Sequence, residues 1–366
     1  MNMNSSPKHY LFFASLSYAY SILRPLQAEI RRRGDVAAWF LEESCPDLLE
    51  TDEMRLKTIE EVMNYQPYAV FAPGNWVYDF FPGIKVEVFH GYPMRKRIEK
   101  IDDHFSLRGW FDIYCTQGES STPYFTELEQ KHRYFKIYET GWCKVDSFFN
   151  PQLPPEPTRQ VPTILYAPTF TRGISSAWEL APVIGRLAKE KPWRWIITFH
   201  PKLDDPELKQ QYARLAETLT NVEFRLVNKG LETFRESDAL LCDSSSLIVE
   251  YMMLDKPVVT FRNTHPGPFL LDVQREEEVG PALEQALTRP ATLMEEIHRY
   301  TSFHERHRDG QNSARVLDAV DDFAAHYQGR IRRKPLNLFR KLKLRWKLKL
   351  WKPLYTTVIY PTHYPN

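Results

Sequence analysis

The strongest constraint on this chain's fold is a pattern that occurs twice. Short, unbroken apolar runs alternate with stretches of helical periodicity. Tyr10–Ser15 reads as a strand and Tyr18–Arg33 as a helix stopped by Gly34. Val36–Phe40, Ala69–Ala72, Val86–Phe89 and Asp112–Cys115 follow as strands, then a helix over Ser121–Lys131 and a strand over Phe135–Glu139. Strands buried on both faces are continuously apolar, so this pattern predicts a parallel sheet covered by helices. Five prolines between Asn150 and Pro162 then exclude helix and central strand and hold the chain extended. Beyond them the pattern resumes, with strands expected at Thr163–Tyr166, Trp195–Phe199, Val222–Leu226, Ala239–Cys242 and Val258–Phe261. The expected fold class is α/β, with two Rossmann-like domains and an interdomain cleft. The domains are expected at 1–149 and 163–328, with the linker at 150–162 and a tail over 329–366. At 366 residues the chain is also longer than one core usually supports.

Charge divides the chain differently. Eleven Lys and Arg, and no Asp or Glu, lie between Arg330 and Lys352. The rest carries 37 basic and 47 acidic residues, a net of −10. Such a distribution implies one local anionic partner, not a uniformly basic nucleic-acid binder. In the tail, Leu342, Leu344, Trp346, Leu348 and Leu350 alternate with cations at the strand period, while Phe339, Leu342, Trp346 and Leu350 also fall on one helical face. Periodicity leaves both conformations open. Either would lay apolar groups on a bilayer while the cations meet anionic lipid; RNA or a protein partner are the alternative takers.

The four cysteines are scattered without metal-ligand spacing, as in a reducing compartment. Tyr10–Ile22 follows Lys8 and invites comparison with a signal peptide, but it contains several tyrosines and serines and runs into the helix ending at Arg31-Arg32-Arg33, so it reads as a buried strand. No run approaches the ~20 apolar residues of a spanning helix. The expected location is cytoplasmic, peripheral on the inner membrane face.

Candidate chemistry sits at strand ends, which face the ligand crevice of a parallel sheet. His90, followed by Gly91, Tyr92, Pro93 and Arg95, ends one strand, and its imidazole suits a general base on an acceptor hydroxyl. Gly91 is expected to supply a sharp turn. Thr169 and Arg172, in Tyr166-Ala-Pro-Thr-Phe-Thr-Arg172-Gly173, suit a phosphate. His200, before Pro201 and Lys202, suits a donor to a diphosphate or to charge on a leaving group. Asp243-Ser244-Ser245-Ser246 precedes an apolar helix whose start favours an anion, and Glu250 within it suits a ribose or glycerol hydroxyl. Fingerprints of dinucleotide oxidoreductases, P-loop NTPases and serine hydrolases are missing. No Asp-x-Asp is flanked by strand signals, so a built-in divalent-metal site is not indicated, and no cofactor is expected beside an activated donor taken as substrate.

In this order the segments resemble the CDP-glycerol glycerophosphotransferase family, the polymerases and primases of teichoic-acid-like polymers. His90-Gly91-Tyr92-Pro93 resembles its His-Gly-Thr-Pro, Thr140-Gly141 to Asp146 its Thr-Gly-x-x-x-x-Asp, and Tyr166 to Thr169 its Tyr-Ala-Pro-Thr. His200-Pro201, Asp243 to Ser246 with Lys256-Pro257, and Asp309-Gly310 to Arg315 match further motifs in sequence order. Tyr92, Ser244 and Phe170-Thr171-Arg172 depart from the family pattern. The resemblance implies a GT-B enzyme with His90 as base and with His200, Thr169 and Ser244–Ser246 on the donor phosphates. Arg172 and Glu250 would join the donor site, and Gly91, Asp243 and Arg95 would support the reacting groups. The expected reaction moves an alditol phosphate from a CDP-activated donor to a lipid-linked surface polymer, releasing CMP. The alternatives are a GT-B glycosyltransferase of capsule or lipopolysaccharide assembly and a sugar-nucleotide epimerase.

Overall fold

The computed structural model describes residues 6–93, 103–156, 158–171, 173–200, 202–225 and 230–350. Its strands are β1 (His9–Ala14), β2 (Val36–Leu41), β3 (Met54–Leu56), β4 (Ala69–Ala72), β5 (Ile84–Glu87), β6 (Ile113–Thr116), β7 (Lys136–Glu139), β8 (Thr163–Tyr166), β9 (Arg194–Thr198), β10 (Val222–Arg225), β11 (Ala239–Cys242), β12 (Val258–Phe261) and β13 (Leu271–Val273). The helices are α1 (Tyr18–Arg32), α2 (Ile59–Tyr65), α3 (Thr122–His132), α4 (Ala177–Glu190), α5 (Pro206–Thr218), α6 (Leu231–Arg235), α7 (Leu247–Met252), α8 (Val279–Leu287), α9 (Ala291–His304), α10 (Asn312–His326) and α11 (Leu338–Lys347).

The strands form two parallel sheets in two compact units, as the repeated pattern predicts. The first sheet has the order β3-β2-β1-β4-β5-β6-β7 and the second β10-β9-β8-β11-β12-β13. In each, the order reverses beside the first strand of the unit, β1 or β8. That switch point is where open α/β sheets leave room for a ligand at the strands' carboxyl ends.

In the first unit, Leu11 and Phe13 of β1 point into an aromatic core with Phe40, Tyr78 and Phe81. In the second, Trp195 and Ile197 of β9 pack with Tyr166, Tyr212 and helix α4. Each such side chain removed from water contributes roughly 1.5–3 kcal/mol. Gly34 stops α1 with φ +81°, as its position predicts.

The unit boundaries differ from the expected ones. Residues from Arg306 onward belong to the first unit, with those up to Gly91 and Asp103–Asp146; Tyr92, Pro93 and Ser147–Glu305 belong to the second. Helix α10, placed in the second domain by sequence order, packs on α1, β5, β6 and β7. Two motifs make that join. The Asp146 carboxylate accepts the N–H groups of Asn312 at 2.8 Å and Ser313 at 2.7 Å, capping α10 from outside. Asp309 grips Arg315 with both carboxylate oxygens, closing the loop before the helix.

Part of the proline-rich stretch is fastened to the second unit. Arg159 meets Asp238 at 2.6 Å, and Glu156 meets the buried Lys256 at 2.9 Å. Lys256 also donates to the carbonyls of Phe234 and Ser237, so Lys256-Pro257 is a structural knot.

The basic tail is not separate from the body. Lys334 pairs with Asp112 at 2.8 Å, and α11 sets Arg345 and Lys341 on Asp79. Leu344 is 7% exposed within the first core. The strand alternative is overruled over 338–347, because a helix lets Leu344 and Leu348 reach the core while Phe339, Leu342 and Trp346 share the outer side. Trp351, Lys352 and the residues after them lie outside the described residues. Among the described residues, no helix is long and apolar enough to cross a membrane.

Candidate active site

In the first unit, the chain leaves β5 through a strained turn. Phe89 has φ +56°, an uncommon conformation for a bulky residue. Its ring is buried and stacks on His104 at 4.5 Å, and its carbonyl accepts the Trp142 indole N–H at 3.2 Å. Burial of that ring offsets the strain and aims the next side chain, His90, outward. The sharp turn is therefore at Phe89. Gly91, expected to make it, does not have positive φ, and a Cβ there would meet nothing within 4 Å. Its carbonyl is held by the Gln117 amide at 2.9 Å.

His90 is exposed, and its Nδ1 lies 3.2 Å from the Pro73 carbonyl. A carbonyl oxygen only accepts, so Nδ1 carries the proton and Nε2 of the neutral ring keeps its lone pair. The ring stacks on Tyr18 at 5.3 Å, which fixes its plane. The result is an oriented base. Tyr92 follows His90 in sequence but sits in the second unit, where its buried hydroxyl donates to Glu305 at 2.8 Å. It anchors the chain there.

In the second unit, Asp243 at the end of β11 is fully buried. One of its oxygens accepts the Thr169 N–H at 2.8 Å; the other accepts the Ser176 N–H at 2.9 Å and hydroxyl at 3.0 Å. Burial raises its pKa above the usual carboxylate value, and these donors oppose the rise. Asp243 thus organises the loop after β8 and is not itself open to a ligand.

That loop places Phe170 against His200, with ring centres 4.4 Å apart. His200 is exposed, and its Nδ1 accepts the Lys202 N–H at 3.0 Å, so Nε2 of the neutral ring carries the proton. This histidine presents a donor.

Of the three serines, Ser244 accepts the Thr264 N–H at 2.9 Å and Ser245 the Leu247 N–H at 3.3 Å. A hydroxyl that accepts still has its own proton to give. Both line a cavity of about 300 Å³ with Asn263, His265, Phe269 and Tyr300. Phe269 and Tyr300 stack at 3.6 Å and form a flat apolar wall. Ser246 makes no capping bond and does not line the cavity; neither do Thr169, His200 or Glu250. Helix α7 has only six residues, so its dipole is weaker than the serine run suggests. The loop from Asn263 to Phe269 was not among the expected site residues, although a polar, proline-punctuated stretch after a strand end is the signal that could have found it. Arg95 and Arg172 lie outside the described residues. No group of three or more His, Cys, Asp or Glu that could hold a metal ion occurs among the described residues.

Two parallel Rossmann-like sheets, each with its polar residues at the carboxyl ends of strands, define a GT-B-like α/β fold. The sequence model of "CDP-Glycerol:Poly(glycerophosphate) glycerophosphotransferase" matches residues 132–322, just over half of the chain, and the chain belongs to that family. It is an enzyme of the glycerophosphotransferase type. Among solved structures, the wall teichoic acid polymerase TagF in an H444N, CDPG-soaked form resembles it with TM-score 0.59 and 16% identity, over 86% of this chain and 88% of that one. The S. aureus MnaA–UDP structure gives 0.62 and 13%, over 87% and 97%. A UDP-GlcNAc 2-epimerase from Neisseria meningitidis gives 0.57 and 13%, over 86% and 100%. At such identities these likenesses concern the fold alone. No curated protein matches the sequence.

Proposed function

We propose that the protein transfers an alditol phosphate of the glycerol phosphate type from a CDP-activated donor to a lipid-linked, teichoic-acid-like acceptor. The observation that carries this reading is the opposite backbone hydrogen bonding of the two strand-end histidines, within a family named for glycerophosphate transfer. The acceptor hydroxyl gives its proton to Nε2 of His90 as its oxygen attacks the β-phosphorus. The bond from that phosphorus to the bridging oxygen breaks, and CMP leaves with the bridging oxygen. His200 Nε2–H meets the charge that develops on the donor phosphates. Ser244 and Ser245 donate to the donor from the cavity that they line, Thr169, Arg172 and Ser246 are further candidate donor contacts, and Glu250 takes a hydroxyl of the donor. No covalent intermediate is needed; positioning and charge stabilisation suffice. The protein would work on the inner face of a membrane, where the exposed Phe339, Leu342 and Trp346 enter the interface and the flanking cations meet anionic lipid.

Product analysis tests this. Full-length protein is incubated with CDP-glycerol, CDP-ribitol or UDP-sugars and a membrane extract as acceptor. His90-dependent CMP release, with alditol phosphate appearing in lipid, is expected. Release from a sugar nucleotide alone would make the protein a glycosyltransferase, and interconversion of a UDP-sugar without acceptor would make it an epimerase.

A further inference from the structure

A cavity on the first unit that His90 does not line is used by no step described so far. It measures about 1150 Å³, more than the ~300–1,000 Å³ of ordinary ligand pockets, so it has room for a long chain. Its walls combine Trp76, Trp110, Trp346 and Leu344 with Arg108, Arg340, Lys343, Lys347 and Lys349, and no acidic residue lines it. Nearby, Asp79 is already paired with Arg345 and Lys341. Among the described residues, Arg340, Lys343, Lys347 and Lys349 make no ion pair. Three indoles together with cations that make no ion pair match a ligand that is apolar along its length and anionic at its end.

The cavity also leads somewhere. Trp76 and Lys347 line a neighbouring cavity of about 640 Å³ whose other walls include Ser15, Glu42, Ser44 and Tyr78. Ser15 and Tyr18 converge on Gly74, where a Cβ would meet the Tyr18 hydroxyl at 3.2 Å and the Ser15 hydroxyl at 3.8 Å. Tyr18 in turn stacks on His90. The two cavities thus share Trp76 and Lys347, and Ser15 of the second lies beside Tyr18, the ring that stacks on the base, all within one unit.

We propose that the α11 cavity binds a single long-chain lipid phosphate, the anchor of the acceptor, with its chain against the tryptophans and its phosphate on Lys343, Lys347 and Lys349. This rests on the reading of the protein as a transferase to a lipid-linked acceptor. It differs from docking on a bilayer in that Phe339 and Leu342, on the outer side of α11, do not line the cavity, whereas Trp346 of the same side does.

The test is binding of farnesyl phosphate, below its aggregation limit, to the full chain without donor, followed by tryptophan fluorescence and calorimetry. Farnesyl phosphate is expected to bind at least ten-fold more tightly than farnesol, with inorganic phosphate failing to compete at equal concentration. Lys343→Glu with Lys347→Glu, both on the solvent side of α11, is expected to raise the Kd at least ten-fold while circular dichroism stays unchanged. Trp76→Ala is expected to weaken farnesyl phosphate and farnesol alike. Phe339→Ala with Leu342→Ala is expected to lower binding to vesicles containing phosphatidylglycerol and to leave the farnesyl phosphate Kd unchanged. Equal affinity for farnesol and farnesyl phosphate, an unaltered Kd in the double lysine variant, or binding only when vesicles are present would each overturn the proposal. Because no donor is present, this assay can fail while CMP release stands, and the reverse.

Discussion

The carboxyl ends of β5 and β9 each present a histidine to solvent, and the two are set in opposite ways. His90 gives its Nδ1 proton to the Pro73 carbonyl and keeps a lone pair on Nε2; His200 receives the Lys202 N–H on Nδ1 and keeps a proton on Nε2. The same side chain thus becomes a base in one unit and a donor in the other, through a single backbone partner in each case. The turns that hold them differ as well. The first relies on a left-handed Phe89 whose ring is locked in the core, the second on the buried carboxylate of Asp243, which gathers the loop from Thr169 to Ser176. A protein can therefore aim a catalytic group either by backbone strain or by a buried polar clamp.

The comparison breaks most sharply at His90. His90→Ala is expected to lower kcat by at least ~10³-fold, within the range of a lost general base, with little change in the donor Kd. His90→Gln should be as poor, because an amide cannot take a proton. A turnover near that of the parent would remove His90 from the mechanism. For His200 the expected effect is smaller, roughly 10²-fold for His200→Ala, the usual size for a lost oxyanion donor, with a raised KM for the CDP-alcohol. Here His200→Gln should recover part of the loss, since its amide N–H can stand in for Nε2–H. Equal failure of both Gln variants would mean that the two histidines do not divide the work as their tautomers say.

Much of this was legible in the sequence. The strands of both sheets are apolar throughout, as in the Leu11-Phe12-Phe13 and Ala239-Leu240-Leu241 runs, because helices cover both faces. The edge strands β3, Met-Arg-Leu, and β13, Leu-Asp-Val, were not legible, since three residues leave no period to read. Helix α10 crosses back to the first unit through hydrogen bonds to Asp146, a residue 166 positions away, and nothing local marks that. The tail was ambiguous because Leu342-Lys343-Leu344-Arg345-Trp346 satisfies both periods; the burial of Leu344 decides it. His90 and His200 could be named from their strand ends, but their tautomers depend on backbone partners that sequence spacing does not reveal.

The clamp of the second turn can be tested alone. Asp243→Asn keeps the volume but must turn an NH₂ group toward backbone N–H or hydroxyl donors. Leaving a buried donor unsatisfied costs about 1–3 kcal/mol, so a loss near 3 kcal/mol is expected by chemical denaturation, with about ten-fold weaker donor binding. A variant as stable as the parent would show that the loop is held by its other contacts.

Two segments, one in each unit, should also answer pH in opposite directions. Burial pushes the Glu42 carboxyl, at the end of β2, from its ordinary 4.5 to about 7, while Tyr78 donates to it at 3.0 Å. A carboxyl raised in this way contributes stability that is complete below pH 4.5 and is lost as pH rises through 7. Burial lowers His304, at the end of α9, from 6.5 to about 4. Its contribution is complete above pH 6.5 and is lost as pH falls through 4. Both groups retain some contact with water, so each effect is discounted to about 2 kcal/mol. Hydrogen exchange read separately over Val36–Leu41 and Ala291–His304 should then show the first segment opening more readily at pH 8 than at pH 5, and the second the reverse. Glu42→Gln should flatten the first response alone and His304→Leu the second alone. If both segments respond together in each variant, the two units unfold as one and the opposition between them is confined to their turns.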